Sequence, residues 1–444
     1  MRRVFKSRVF KSVISSLMFM NSYAFANDFN KLDKLIDLLE KEDKAMLAVA
    51  VRQNGKLIYE SYSGLASSRE NEKVNVNSIY RIGSISKIFT AVLVMQAVEQ
   101  GKVSLDSKLN DFYSDIPNSD VITVRHLLSH RSGIFNFTDD PAYAGYMTQT
   151  KSRLELINII KSYESQFTPG SQHGYSNSNY VLLTMILEQV YKQDFSEIVE
   201  NQIIKPLKLK NTYLGQSTRN KNEVSSFAYA GNWISAPVTD MSIPLGAGSM
   251  ISNARDVTAF LTALFQHKLV SEKSLQEMKT LHQGYGLGLM SFPFYDKNGY
   301  GHNGGIDGFT SNTAFIEEDD LAICVLSNGL NYNFNDVLIA VLSSHYKKPF
   351  DLPNFDAVPV QLTVTELQKF VGDYESKQLP LDIKVFLKEN KLMAQATGQG
   401  AFPLETYENE ELRFDPAGIV IKFIEDKSGF QLNQGGGLFN FSRK

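Results

Sequence analysis

At 444 residues the chain is longer than one compact core accommodates, so two domains are expected. Hydrophobic residues make up 43% and charged residues 21%, an ordinary globular balance. The formal net charge is −3, and no long basic block follows the N-terminus, which disfavours nucleic-acid binding because phosphate contacts need clustered Lys and Arg.

The first element in the chain reads as an export signal over residues 1–26. Arg2, Arg3, Lys6, Arg8 and Lys11 form a basic n-region, Val13 to Met20 a short apolar h-region, and Ala24-Phe25-Ala26 an A-x-A site, so cleavage is expected after Ala26. The apolar stretch is too short for a stable transmembrane anchor, and a periplasmic or secreted location follows. Cys324 is the only cysteine, which excludes an intramolecular disulfide. It sits in an apolar strand pattern and reads as a buried, inert thiol.

Residues 27–346 read as one catalytic domain. Met46 to Arg52 and Lys56 to Tyr62 flank Gln53-Asn54-Gly55, a tight hairpin signal. Ser84 to Gln100 is helical in pattern, with Gly101 as its stop. Arg125 to His130 predicts a short helix ending near Gly133, Asn177 to Tyr191 a long one, and Ala254 to His267 another, capped by Asn253. Strand patterns return at Gly286 to Met290, Phe309 to Ile316 and Leu321 to Ser327. Strands at both ends around helices predict an α/β (α+β) domain, an antiparallel sheet with a helical insertion. Residues 347–360, punctuated by Pro349, Pro353 and Pro359, read as a linker. Residues 361–444 carry short strand patterns and predict a small all-β, barrel-like domain, with Gly435-Gly436-Gly437 as a hairpin tip or flexible tail.

Three segments carry chemistry. Ser84-Ile85-Ser86-Lys87 puts a hydroxyl and an amine one helical turn apart, the spacing of a nucleophile with a resident base. Tyr175-Ser176-Asn177 lies where a turn meets a helix. A tyrosine there, near a lysine, can take the serine proton, and the Asn177 amide can bind a substrate carbonyl and orient Lys87. In His302-Asn303-Gly304-Gly305, glycines let a strand edge approach a ligand, and a backbone N–H can join that of Ser84 in an oxyanion hole. Each pattern has a match elsewhere, at Ser344 to Lys347, Tyr407 to Asn409 and His282 to Gly284, so the ordered set carries the weight. No His-Glu-x-x-His occurs and no metal or cofactor is expected.

The ordered set resembles the penicillin-binding-protein and serine β-lactamase family, nearest its class C and DD-peptidase branch. Thr123 to Ile134, Phe167-Thr168-Pro169-Gly170 before Tyr175, and Gly246-Ala247-Gly248-Ser249 extend the resemblance over roughly residues 30–345. It implies that Ser84 is acylated, that Lys87 and Tyr175 share general-base and general-acid duty, and that Asn177 binds the acyl side. It also implies that His302, Asn303, Gly304 and Gly305 stand where the family has Lys-Thr-Gly, with Ser84 and Gly305 N–H groups as the oxyanion hole. His302 replaces the lysine and Asn303 the hydroxyl residue, which implies a DD-carboxypeptidase, a D-aminopeptidase or an esterase before a dedicated β-lactamase. A penicillin-binding or sensor protein that acylates without turnover is the non-enzymatic alternative. The expected partner is a peptide or small-molecule substrate, peptidoglycan included.

Overall fold

The computed structural model describes residues 28–67, 72–216, 220–434 and 437–444. The expected export signal over residues 1–26, and Gly435-Gly436 of the glycine run, lie outside the described residues. Among the described residues no helix is long and apolar enough to cross a membrane.

Helix α1 (Asn30–Lys41) leads into β1 (Ala45–Gln53) and β2 (Lys56–Ser63). Asn54 (φ 50°) and Gly55 (φ 72°) make the connecting turn, the left-handed pair that joins two twisted strands with least strain. Three helices follow that organise the interior: α2 (Ser86–Glu99), α3 (Asn177–Tyr191) and α4 (Ala254–Phe265). The chain then returns through β3 (Met290–Phe294), β4 (Lys297–Ile306), β5 (Phe309–Ile316), β6 (Leu321–Leu330) and α5 (Phe334–Tyr346).

The strands form an antiparallel sheet in the order β3-β4-β5-β6-β1-β2, so the two ends of the domain meet where β1 pairs β6. Alternation along β1 sends Leu47, Val49 and Val51 to one face with α1 and α5, and Ala48 and Ala50 to the other with α4 and the helical region. Small alanines on the inner face let α4 lie close to the sheet. Helix α2 is buried from Ser86 to Ala97, as its all-round apolar sequence requires, and Phe89 stacks on Phe260 of α4 at 3.7 Å between centroids. Each such fully buried large side chain contributes about 1.5–3 kcal/mol. Helix α4 begins as its sequence predicts, with Asn253 accepting from Asp256 N at 2.9 Å.

The short helix runs over Val124–Leu128 and stops sooner than its pattern suggests, because His130 takes a left-handed conformation (φ 55°). The alternating Gly286 to Leu289 predicts a strand, but these residues form an irregular loop and β3 begins at Met290. Leu287 and Leu289 are both buried in the main core, so their spacing reflects core filling and not a half-exposed strand.

Residues 347–360 carry no regular structure. Beyond them a nine-stranded sheet among the described residues surrounds a core of its own, including Tyr374, Val385, Leu412, Ile421 and Phe430. Its edge strands, Phe402–Pro403 and Glu405–Thr406, are consecutive in the chain, so the sheet curls into a nearly closed barrel. Strands Gly429–Gln434 and Gly437–Arg443 pair antiparallel across the glycine run, with Gln434 opposite Gly437.

Candidate active site

Ser84 sits in a 3-10 turn, Gly83–Ile85, immediately before α2. Ser86 staples this turn: its Oγ donates to Gly83 O at 2.6 Å and accepts from Met250 N at 3.0 Å. Just upstream, the buried Arg81 donates to Glu223 Oε1 (3.0 Å), Asp307 Oδ2 (3.1 Å) and Thr239 O (2.8 Å). Asp307 lies in the turn between β4 and β5 and also accepts from Thr239 N and Oγ1. This network, with every charge paired and hydrogen-bonded, ties the segment carrying Ser84 to the β4–β5 turn.

Strand β3 pairs with β4 only as far as Gly301, so residues 302–306 present an open edge, and the Ser84 turn packs against it. Two glycines permit the approach. Gly83 has φ 51°, and a Cβ there would lie 2.9 Å from Gly305 N. A Cβ on Gly304 would collide with Ile82 O and Ser311 Oγ and lie 3.0 Å from Ser84 N.

Lys87 is 0% exposed, at the second position of α2 and one turn after Ser84. Its Nζ lies 2.9 Å from Ser84 Oγ, 2.8 Å from Asn177 Oδ1 and 2.7 Å from Ala247 O. Burial pushes its pKa well below the ordinary lysine value. In the neutral form that this shift favours, the amine has two N–H groups and one lone pair. Ala247 O can only accept. Asn177 Nδ2 donates to Thr138 Oγ1 (3.0 Å), which turns Asn177 Oδ1 toward the amine as a second acceptor. Both N–H groups are thereby used, and the lone pair faces the Ser84 hydroxyl.

Tyr175 Oη donates to Ser84 Oγ at 2.9 Å. The residue is 36% exposed, at the mouth of the site. Burial of the phenol raises its pKa and the hydrogen bond to Ser84 opposes the rise. The phenol therefore keeps its proton at neutral pH. Tyr175 donates to Ser84, and when the amine is neutral Ser84 can donate on to Lys87, so the hydrogen bonds then run in one direction toward the amine.

His302 is 2% exposed, and its ring does not face the open cleft. Nδ1 lies 2.5 Å from Asn303 O, which can only accept, so Nδ1 carries the proton. Nε2 then accepts from Tyr285 Oη at 3.0 Å. Burial, with Lys87 nearby, pushes the imidazole pKa down to about 3, so the ring is neutral. Asn303 and Gly305, by contrast, are exposed along the strand. The third segment thus offers its backbone and Asn303 to solvent, while the His302 ring lies within the fold.

The structure thus brings Ser84, Lys87, Tyr175 and Asn177 together and sets the 302–305 strand beside them. It adds groups without a motif of their own. Asn136 Oδ1 accepts from Asn177 N (2.9 Å), Thr138 holds the Asn177 amide, and Ala247 O fixes Lys87. A second histidine, His130, packs on the Tyr175 ring at 4.3 Å. Its only sequence signal is its place in Leu128-Ser129-His130-Arg131-Ser132-Gly133. Cys324 is buried with its thiol pKa raised by burial. Among the described residues no cluster of three or more His, Cys, Asp or Glu is arranged to hold a metal ion.

Comparison with known proteins places this geometry. The Beta-lactamase family model matches residues 32–343. Penicillin-binding protein 4* of Bacillus subtilis (strain 168) is 22% identical over 423 residues, covering 87% of this chain and 91% of that protein. The teichoic acid D-alanine hydrolase of Staphylococcus aureus is 24% identical over 309 residues, covering 66% of this chain and 74% of that one. The structure of D-amino acid amidase from Ochrobactrum anthropi SV3 superposes with a TM-score of 0.64 at 26% identity, covering 72% of this chain and 98% of the amidase. The family match spans most of the chain and falls on the part of the molecule that holds Ser84, so the chain belongs to the Beta-lactamase family and is a serine hydrolase.

Proposed function

We propose that this hydrolase forms an acyl-enzyme on Ser84 and cleaves amide or ester bonds of D-amino-acid substrates, peptidoglycan stem peptides among them. The observation that carries the reading is the convergence of Lys87 Nζ and Tyr175 Oη on Ser84 Oγ, each 2.9 Å away, with burial pushing the amine's pKa down.

In acylation Ser84 Oγ attacks the carbonyl carbon and its proton passes to the Lys87 lone pair. The oxyanion is received by the N–H groups of Ser84 and Gly305, each such donor contributing about 3 kcal/mol to the barrier reduction. The bond to the leaving group breaks as Tyr175 gives that group its proton. Lys87 is then an ammonium and Tyr175 a phenolate. In deacylation water attacks the ester while the phenolate takes its proton, and the ammonium returns a proton to Ser84 Oγ as the acid departs. Protons balance over the cycle and the resting state is restored.

Two observations support a D-amino-acid substrate with a neutral leaving side. His302 is neutral and buried, so the third segment offers no cation for a free carboxylate. Two of the relatives are a D-amino acid amidase and a teichoic acid D-alanine hydrolase. The same neutrality suits small esters, and esterase activity is the second reading. The basic n-region and Ala24-Phe25-Ala26 support export, with the mature chain starting at Asn27.

The test compares turnover by purified residues 27–444 of D-alanine amide, L-alanine amide, a D-alanyl-D-alanine peptide and p-nitrophenyl acetate. Preference for the D-amide over its L-isomer supports the proposal. Turnover of the ester alone, with neither D-substrate cleaved, transfers it to the esterase reading. A stable adduct with penicillin and no turnover of any substrate transfers it to a sensor.

A further inference from the structure

We propose that His130 is the positioning residue that presents the Tyr175 phenol to Ser84. The inference rests on the role given to Tyr175 above. His130 grips the chain on both sides of that tyrosine: its carbonyl accepts from Gly174 N at 2.8 Å and its Nδ1 accepts from Ser176 N at 3.1 Å. Its ring lies against the Tyr175 ring, 4.3 Å between centroids and tilted by 36°. One residue thus holds the residue before, the residue after and the aromatic ring itself.

The geometry also fixes the tautomer. Asn179 Oδ1 accepts from Ser132 Oγ at 2.6 Å, which turns the Asn179 amide so that Nδ2 faces His130 Nδ1 at 3.2 Å. With two N–H donors converging on it, Nδ1 carries no proton and Nε2 does. Nε2 is buried without a hydrogen-bond partner among the described residues, and the imidazole packs against the rings of Tyr180 and Tyr285, 5.2 and 4.7 Å between centroids. The backbone is unusual as well: φ is 55°, a left-handed conformation costly for a residue with a Cβ and maintained by the surrounding contacts. A 0% exposed imidazole, held in one tautomer and in a strained conformation, reaches no reacting atom. Its contacts lead instead to the one residue whose phenol hydrogen-bonds the nucleophile.

A positioning role for the general acid predicts dependence on the leaving group. A p-nitrophenolate leaves without a proton, whereas an anilide nitrogen needs one. The experiment measures kcat/KM for the matched p-nitrophenyl ester and p-nitroanilide of D-alanine in wild type, His130→Phe, His130→Asn, Tyr175→Phe and the double variant His130→Phe/Tyr175→Phe. His130→Phe keeps an aromatic ring and loses the acceptor. His130→Asn keeps an acceptor near the Nδ1 position and tolerates the left-handed backbone. Misplacing a general acid worth roughly a hundredfold or more should make the His130→Phe loss at least about tenfold greater on the anilide than on the ester. Tyr175→Phe should show the same bias, the double variant should be no worse than Tyr175→Phe alone, and His130→Asn should return the ratio toward wild type. Equal losses on both substrates in His130→Phe, beside a biased Tyr175→Phe, would overturn the positioning role and leave the Tyr175 reading intact. An unbiased Tyr175→Phe would overturn both. If His130→Phe does not fold, by thermal melting, His130→Gln makes the same comparison, because its longer side chain places the acceptor elsewhere.

Discussion

Lys87 is where burial becomes chemistry. An exposed lysine is a cation at neutral pH, but this one is buried, and in its neutral form two fixed acceptors use both N–H groups and leave the lone pair for Ser84. Its pKa is depressed, so the working neutral form is present above that pKa and lost as pH falls through it. Hydrolysis of a p-nitrophenyl ester should therefore rise with pH and level off well below 10.5, the ordinary lysine value. Tyr175, raised above the ordinary phenol value, should impose no basic loss before about pH 10. His302 stays neutral above about pH 3, so KM should be flat from about pH 5 to 8. A half-maximal rate near the ordinary lysine value, or a step in KM near the ordinary histidine value, would contradict these assignments. At this scale the sequence makes Ser84, Lys87, Tyr175 and Asn177 legible, because each lies at a helix start or turn with a recognisable local pattern. His130, Thr138 and the ring environment of His302 are not legible, since their partners lie 46, 39 and 17 residues away and impose no local period.

The element that decides the site's shape is the open edge of β4 against the Ser84 turn. The approach is close enough that Gly304→Ala must displace one of them. We expect a loss of about 1–3 kcal/mol in stability from overpacking. The fall in kcat should be about a hundredfold, as the oxyanion donors separate. Urea unfolding and steady-state kinetics measure the two effects. Unchanged kcat would mean that this edge does not line the reaction centre. The long helices and the Asn54-Gly55 hairpin follow from local periodicity and turn chemistry, and their residues fall where the pattern puts them. Gly286 to Leu289 does not, because burial of alternate leucines imitates a strand when a loop enters the core. The first strand of the barrel-like sheet, Gly372–Glu375, is equally hard to read, being four residues long and paired on one side with Ser442 and Arg443, far along the chain.

At the scale of the whole molecule, the core around Tyr374 and Phe430 is distinct from the two that sandwich the main sheet. We expect two unfolding transitions by calorimetry. Trp233, the only tryptophan, stands in the larger part, so its fluorescence should follow only one of them. A single coincident transition would mean that the parts unfold as one. Every group described at the candidate site comes from the larger part, and two of them, Lys87 Nζ and Tyr175 Oη, converge on Ser84 Oγ. The most direct test is the intact mass of the whole chain after brief incubation with penicillin, followed by peptide mapping. The account predicts one added acyl mass, carried by the peptide containing Ser84 and absent in Ser84→Ala. An adduct on another residue, or one that persists in Ser84→Ala, would contradict it.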